Sequence, residues 1–211
     1  CVCYYNQIST TRYNHLTTKS NFKMKRTIVA ALLLTGTLLS ASSHAQMAKK
    51  EKTVMVGGAA MYPSKNIVEN AVNSKDHTTL VAAVQAAGLV ETLQSAGPFT
   101  VFAPTNAAFD LLPAGTVETL VKPENKATLT SILTYHVVPG RVSSKDLAKW
   151  AEKGNGMYEM TTVQGGKLWV VAKDGKLWLK DEKGGMANIS TADVAQSNGY
   201  IHVVDNVLMP K

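Results

Sequence analysis

Cysteine is almost absent from this sequence of 211 residues, because the only two, Cys1 and Cys3, stand at its beginning. The rest of the chain has no thiol that could form a disulfide, bind zinc or act as a nucleophile. The sequence also lacks a Gly-x-Ser-x-Gly elbow, a His-Glu-x-x-His motif and a glycine-rich phosphate loop followed by Lys-Ser or Lys-Thr. Its acidic residues are dispersed, so no catalytic pair of carboxylates can be assigned. We therefore expect neither an enzyme nor a protein with a metal or an organic cofactor.

Long apolar runs are scarce as well, and the clearest one, residues 27–39, is too short to span about 30 Å of hydrocarbon comfortably. A basic stretch beginning at Met24 precedes this run, and small residues follow it just before Gln46. This layout is typical of a secretory signal peptide over residues 24–45, cleaved after Ala45. The alternative is a membrane anchor, which the length of the run disfavours. We expect an exported protein, periplasmic or extracellular, with no membrane span in the mature chain.

Three further segments complete the expected organisation. Residues 1–23 resemble neither a domain nor a targeting segment, and we interpret them as an upstream extension from a gene start placed too early. The alternative is a genuine extension without fixed structure. Residues 46–62 are predicted to be either a flexible linker or, through Val54–Val56, an edge segment of the domain. The folded domain is predicted over residues 63–211.

The net charge falls sharply at the predicted cleavage site. The whole sequence has 22 Lys and Arg against 15 Asp and Glu, a net charge of +7. Residues 1–45 contain five of these cations and no acid, which leaves the mature chain at +2. Such a weak and scattered charge gives no reason to expect nucleic acid as a partner. A mature chain of about 165 residues without disulfides must be stabilised by its core, and this length is sufficient.

A strand that leads directly into a helix stands in the middle of the sequence. Residues 99–103 alternate with a period of two and carry an aromatic ring on each face, so we expect this strand to be buried on both sides. Pro104 cannot donate to a sheet and ends the strand, and Thr105 is placed to cap the helix that follows. Earlier, Ser64 is predicted to cap a first short helix. Later, a strand is predicted over Tyr135–Val138.

From Gly154 onward, strands and turns replace helices. Lys167–Ala172 and Leu177–Lys180 are predicted to pair across Asp174-Gly175, because Asp-Gly between alternating runs is a strong hairpin signal. A further strand is predicted over Met186–Ser190. Helices followed by a β meander predict an α+β fold in one domain.

Three histidines lie in the predicted domain, namely His77, His136 and His202. They are predicted at the start of a helix and on two separate strands, a distribution that does not favour a metal site. His136 and His202 both alternate with aliphatic residues. We expect them to be buried and hydrogen-bonded within the core, because burying an unpaired imidazole is costly.

Two tryptophans, Trp169 and Trp178, flank the predicted turn of the hairpin. Four lysines are interleaved with them: Lys167, Lys173, Lys176 and Lys180. One interpretation is a hairpin with one face in the core and a solvated lysine face. The other is an exposed aromatic and basic surface that binds a glycan or another acidic polymer. Both interpretations are open at the level of sequence.

Three ordered segments carry a resemblance to a known family: Gly97–Pro113, Ile132–Gly140 and Asn198–Pro210. They resemble the signatures of the fasciclin (FAS1) domain, and the similarity extends from about Asn66 to Pro210. The resemblance implies the FAS1 fold, a β-sandwich-like wedge with several short helices packed along one side.

The resemblance also implies a role in adhesion. In animal relatives two segments are tied to receptor binding, and they map onto Tyr135-His136 and Asp193-Val194 of this sequence. At the second segment the chain departs from the animal pattern, since Thr191-Ala192 replaces Glu-Pro and Val194 replaces Ile. This departure weakens the case for integrin-type recognition.

Two hypotheses for the function follow. The first is a secreted or surface-associated, non-enzymatic interaction module that binds proteins or polysaccharides of the cell envelope or extracellular matrix. The alternative is a periplasmic carrier of a small apolar ligand or lipid, held between the helices and the sheet. The candidate interaction residues are Tyr135, His136, Asp193, Val194, Trp169 and Trp178.

Overall fold

The computed structural model describes residues 51–211 of the chain. Within these residues the helices are Ile67–Ala71 (α1), Thr78–Ala87 (α2), Val90–Gln94 (α3), Asn106–Asp110 (α4), Thr116–Leu120 (α5), Lys126–Tyr135 (α6) and Ser144–Lys153 (α7), with 3-10 turns at Lys75–His77 and Pro123–Asn125. The strands are Val54–Val56 (β1), Ala59–Met61 (β2), Phe99–Pro104 (β3), Val137–Pro139 (β4), Met157–Thr161 (β5), Lys167–Lys173 (β6), Lys176–Lys180 (β7), Met186–Gln196 (β8) and Gly199–Val204 (β9). Helices precede the meander, which confirms the predicted α+β class.

Seven of the described strands form one mixed sheet in the order β4-β3-β9-β8-β7-β6-β5. β3 and β9 pair in parallel, and the other neighbours in this sheet pair antiparallel. The sheet curls until its two ends meet. The backbone N–H of Val163, just after β5, donates to the carbonyl of Val137 on β4 at 2.7 Å. The curl gives the sheet an enclosed inner side and an outer side.

Strand β3 and the helix after it agree with the prediction from sequence. β3 is buried along most of its length, and Phe102 has no exposed surface. The strand ends at Pro104, where a ladder donor is missing. The Thr105 side chain then caps α4 by accepting from the backbone N–H of Ala108 at 3.3 Å.

Two main apolar cores lie on opposite sides of β3. The helix-side core lies between the helices and strands β3, β8 and β9, and contains among others Ile67, Leu80, Val84, Leu93, Val101, Leu133 and Ile201. The curl-side core lies on the enclosed side of the sheet and includes Phe102, Tyr135, Leu147, Leu168, Val170, Leu179 and Val204. Helix α7 closes the curl-side core with Leu147 and Ala151. Such burial is the main favourable term available to a chain of this size.

Three local predictions were wrong. Helix α1 is capped by Asn66 and not by Ser64, because Asn66 and Glu69 exchange hydrogen bonds of 2.9 and 2.8 Å in a capping box. Tyr135 lies at the end of α6 and not on a strand, which begins only at Val137. The strand predicted over Met186–Ser190 continues to Gln196 through two irregularities in its register.

The segment between residues 46 and 62 contains a small hairpin. β1 and β2 pair antiparallel with each other and form a separate two-stranded sheet. Val56 and Met61 are buried in the helix-side core. Residues 54–61 are therefore part of the folded unit and do not form a spacer, and they are not an edge of the main sheet.

The predicted upstream extension over residues 1–23 and the predicted signal peptide over residues 24–45 lie outside the described residues. Both therefore stay predictions. Within residues 51–211, no helix has the length and the apolar character needed to cross a bilayer.

A pair of leucine substitutions tests where the curl-side core is closed. Leu147 on α7 is fully buried, whereas Leu111, just after α4, is 70% exposed. We expect Leu147→Ala to lower the free energy of unfolding by about 2–5 kcal/mol, because a buried Leu leaves a cavity on truncation. Leu111→Ala should cost less than about 0.5 kcal/mol. Urea unfolding followed by circular dichroism measures both, and equal losses would contradict this description of the core.

Candidate functional site

Strands β6 and β7 form the hairpin predicted around Asp174-Gly175. Lys173 pairs with Lys176, so the loop has two residues. Both loop residues have positive φ, 54° at Asp174 and 70° at Gly175, as a two-residue hairpin turn of this kind requires. The turn fixes the register, which places Trp169 opposite Lys180 and Val171 opposite Trp178.

The two faces of this hairpin differ in burial. Leu168, Val170 and Leu179 have no exposed surface and belong to the curl-side core. Because side chains alternate along a strand, Trp169 and Trp178 lie on the opposite face, where both are half-buried. They are diagonal neighbours on that face, since each is opposite a residue two positions from the other.

Residues that pair directly across adjacent strands extend this face from β5 to β8. One row is Met157, Val171, Trp178 and Asn188, and the next is Glu159, Trp169, Lys180 and Met186. Lys167, Lys173 and Lys176 alternate onto the same side. We call these eleven residues the outer face. The two tryptophans and the four lysines of the sequence thus share one surface, and the opposite face of the hairpin lies in the core.

The outer face is basic. Its four lysines are exposed, and its single acid, Glu159, pairs with Lys167 at 3.1 Å between Nζ and Oε1. That pair is half-exposed and contributes little to stability. Met157, which is 45% exposed, adds apolar surface beside the tryptophans. The arrangement combines aromatic surface with positive charge, which suits an anionic partner with apolar faces.

Two polar atoms under this face have no hydrogen-bond partner within the described residues. They are Nε1 of Trp178 and Oδ1 of Asn188, on registered neighbours in β7 and β8. One is a donor and the other an acceptor. Unpaired enclosed groups of this kind are uncommon in folded proteins, and ordered water is an ordinary partner for them.

Tyr135, a residue of the family signature, is fully buried. Its hydroxyl donates to the carbonyl of Lys167 at 2.5 Å and accepts from the N–H of Glu182 at 3.2 Å. Burial raises the pKa of Tyr135 to about 12. These bonds tie the end of α6 to the start of β6 and to the loop after β7, so the described contacts of Tyr135 are structural.

His136 is buried beside Tyr135, and both of its ring nitrogens are bonded. Nδ1 lies 2.8 Å from the carbonyl of Ile132, and Nε2 accepts from the N–H of Leu208 at 3.0 Å. The carbonyl can only accept, so Nδ1 carries the proton and the ring is neutral. Burial lowers the pKa of His136 and keeps it in that form. The prediction of a hydrogen-bonded core histidine is confirmed.

His202 has the same character on β9. Nε2 donates to the carbonyl of Val142 at 3.0 Å, and Nδ1 accepts from the N–H of Asp193 at 3.3 Å. Its ring stacks on Phe102 with 5.6 Å between centroids. Burial lowers its pKa as well. Within residues 51–211, no three His, Cys, Asp or Glu side chains lie close enough together to hold a metal ion.

Asp193 and Val194 lie at the bulged part of β8 and have separate roles. Val194 is 1% exposed and belongs to the helix-side core. Asp193 has a φ of 58°, and its Oδ1 accepts from the backbone N–H of Ser144 at 2.6 Å, while Oδ2 accepts from the hydroxyl of Ser144. Ser144 is the first residue of α7, so Asp193 satisfies one of the free N–H groups at that helix start.

The six candidate residues therefore do not converge. Tyr135, His136 and Val194 are buried, Asp193 caps a helix, and only Trp169 and Trp178 share a surface. Whether any of them contacts a partner stays a prediction.

Comparison with known proteins agrees with the fold. The sequence profile of the fasciclin domain matches residues 75–210. The chain belongs to the fasciclin family. Protein sll1483 of Synechocystis sp. is 47% identical over 185 residues, which cover 87% of this chain and 96% of that protein. Immunogenic protein MPB70 of Mycobacterium bovis is 39% identical over 145 residues, which cover 66% of each chain.

A solved structure shows the same architecture. The FAS1 domain pair of the insect cell adhesion molecule Fasciclin I matches with a TM-score of 0.62 at 17% identity, covering 76% of this chain and 58% of that chain. At this identity the match concerns the fold alone. It confirms the FAS1 fold that the signatures implied.

Several features of the site were missed by the sequence analysis. Met157 joins the outer face only through the register of β5 with β6, whereas alternation along β6 places Val171 there with Trp169. The helix cap formed by Asp193 joins residues 49 positions apart. Nothing local to Asp193 indicates this partner, since the helix directly follows Ser143, its own N-cap.

Stability should depend on pH through the buried histidines. The pKa values of His77, His136 and His202 are lowered in the folded state, whereas the unfolded chain binds protons near pH 6.5. As the pH falls from about 7 to 5 the unfolded state therefore takes up protons first, and stability is lost. Each histidine should contribute a slope of up to about 1.4 kcal/mol per pH unit.

Urea unfolding at several pH values measures this slope. The carboxyls of Asp146 and Glu182 also have lowered pKa values, through hydrogen bonds from Ser143 and from the backbone of Lys167 respectively. Their contribution is lost only below about pH 4.5, near the unfolded pKa of a carboxyl. A free energy of unfolding that stays constant or rises between pH 7 and 5 would contradict the assignment of neutral buried imidazoles.

The cap at Asp193 can be tested with two variants. Asp193→Ala removes both acceptors and places Ala at positive φ, so we expect a loss of about 1–2 kcal/mol in the free energy of unfolding. Asp193→Asn keeps one acceptor and tolerates this backbone, so it should lose less than half as much. Urea unfolding measures the free energy of unfolding of both variants. Equal losses for Asp193→Ala and Asp193→Asn would argue against the cap.

Proposed function

We propose that this fasciclin-family chain is a non-enzymatic interaction module whose contact surface is the outer face of β5–β8. The proposed partner is an acidic polysaccharide of the cell envelope or extracellular matrix. Export by the predicted signal peptide, to the periplasm or beyond, is part of the proposal because such a partner lies outside the cytoplasm. The fasciclin family is generally non-enzymatic, in keeping with a binding role.

One observation carries the proposal: both tryptophans of the hairpin lie on the same face as four lysines. Trp169 and Trp178 could have filled the core, yet the opposite face of the same strands does so. Exposing aromatic surface is unfavourable unless a partner covers it, and contiguous apolar patches mark interaction sites. The tryptophans therefore supply the contact area, and the lysines supply the charge.

An acidic polysaccharide fits both features of the face. Sugar rings have apolar faces that pack on indole rings, and carboxylate groups on the sugars match the ammonium groups of Lys173, Lys176 and Lys180. These three lysines form no ion pair among the described residues. The acids near the face are Glu159, which pairs with Lys167, and Asp174 in the turn. Two more lie at its border, since Glu182 accepts from the N–H of Lys167 at 2.9 Å and Asp205 accepts from the N–H of Asn188 at 2.7 Å. Positive charge thus exceeds negative charge on the face itself.

Charge-reversal variants of the whole chain test the surface directly. The probe is alginate, a polyuronate, immobilised on a sensor surface, with neutral dextran as the reference polymer. We expect Lys173→Glu/Lys180→Glu to weaken alginate binding at least tenfold, about 1.4 kcal/mol, because attraction becomes repulsion. Trp169→Ala should weaken it by a similar factor, because a stacking surface is lost. Binding of the unchanged chain should also fall with added salt.

The matched control is Lys145→Glu/Lys149→Glu, which reverses two exposed charges on α7. This variant should bind alginate within about twofold of the original chain, apart from the general effect of net charge. If both double variants weakened alginate binding equally, the chain would attract alginate through its net charge and not through the outer face. Equal binding to dextran and alginate, or no binding to either, would refute the proposed partner, and binding to anionic lipid vesicles alone would assign the face to a membrane.

A further inference from the structure

A second aromatic surface lies beside the outer face, on the other side of β5. The rings of Trp150 on α7 and Tyr158 on β5 are 5.2 Å apart between centroids and are tilted by 35°. Tyr158 is 41% exposed, whereas Trp150 is partly buried against the curl-side core. We call these two residues the edge pair. Two rings that pack together at the surface offer an apolar contact area with a polar rim.

A single strand, β5, separates the edge pair from the outer face. This strand is the last one of the main sheet and pairs with β6 alone among the described strands. Because side chains alternate, Met157 and Glu159 point to the outer face and Tyr158 points to the other side. All residues of β5 except Met160 are exposed. The exposed surface therefore continues from the outer face around the edge of β5 to Tyr158.

The backbone of Glu159 points to this open edge. The N–H of Ala172 donates to the carbonyl of Gly156 at 3.0 Å, and the N–H of Thr162 donates to the carbonyl of Gly166 at 2.9 Å. Bonded and non-bonded pairs alternate along an antiparallel ladder, so these two bonds place the even-numbered residues of β5 in the pairs bonded to β6. The N–H and the carbonyl of Glu159 therefore face away from β6. They supply one donor and one acceptor between the two aromatic surfaces.

The two aromatic surfaces come close together at this point of the chain. Trp169 is directly opposite Glu159 on the outer face, and Tyr158 precedes Glu159 on the other side. Adjacent strands are about 4.8 Å apart, so one oligosaccharide can reach from Trp169 across the edge to Tyr158.

The charge around the edge pair is close to balanced. Lys153 is exposed and lies three residues after Trp150, on the next turn of α7. Glu152 is exposed beside it, and the carboxylate of Asp146 is bonded to Ser143 in the capping box. The edge pair therefore contributes apolar contact, whereas the lysines of the outer face contribute the attraction by charge.

We propose that the acidic polysaccharide at the outer face continues over the edge of β5 at Glu159, and that its next sugar rings pack on the edge pair. This inference rests on the proposed function, because it extends the same binding site to longer ligands. Sugar hydroxyls pair with the free N–H and carbonyl of Glu159, and Tyr158 and Trp150 form a second stacking surface. The consequence is a preference for long chains, since a short oligomer contacts the outer face alone.

Alginate oligomers of two lengths separate the two parts of the site. With the whole chain, we expect a trimer to shift NMR signals of the outer face and a dodecamer to shift the indole N–H of Trp150 as well. Tyr158→Ala should weaken dodecamer binding about fivefold, because a stacking contact is lost, and should leave trimer binding within about twofold. Tyr158→Phe keeps the ring and should bind both oligomers as the unchanged chain does.

The matched control is Tyr62→Ala, because Tyr62 is 40% exposed and follows β2, away from both surfaces. It should leave both affinities within about twofold. The inference is overturned if Tyr158→Ala leaves dodecamer binding unchanged, if it weakens the trimer equally, or if Tyr62→Ala weakens the dodecamer as much. In those cases the unchanged chain still binds the trimer, whereas a chain that binds neither oligomer would refute the proposed function itself.

Discussion

The burial of β3 on both of its faces is the constraint on which the rest of the fold depends. Val101 and Ala103 belong to the helix-side core, whereas Phe102 belongs to the curl-side core. A single strand thus separates two apolar layers, and the sheet must curl on one side while helices cover the other. Only strands farther along the sheet, β5–β8, can keep an open face. The location of the candidate surface follows from this division.

The family signature residues serve this architecture. Tyr135 and His136 use their polar atoms to fasten the end of α6 to the loop after β7 and to the C-terminal segment at Leu208. His202 connects β9 to Val142 and to Asp193 in the same way. Groups whose hydrogen bonds are already satisfied inside the chain have little hydrogen-bonding capacity left for a partner. The hairpin of β6 and β7, with its exposed lysines and half-buried tryptophans, is therefore the better candidate surface.

Local signals predicted the fold well where a short segment decides its own structure. The Asp174-Gly175 turn and the Thr105 cap both depend on residues within four positions, and both were predicted correctly. Tyr135 was misplaced because an apolar run fits the end of a buried helix as well as a strand. The continuation of β8 was missed because its bulges interrupt the alternation. The face of the tryptophans was left open, although alternation along the strands already places Trp169 with Lys167 and Lys173 and places Trp178 with Lys176 and Lys180.

Mapping a bound oligosaccharide onto the chain tests the central claim most directly. In a titration with a short uronate oligomer, followed by amide and indole N–H signals, the outer-face account predicts shifts concentrated on β5–β8 and on the indole of Trp169. Signals of the Tyr135-His136 segment and of Asp193 should stay in place. Shifts centred on those residues, or spread evenly over the exposed lysines, would contradict the account.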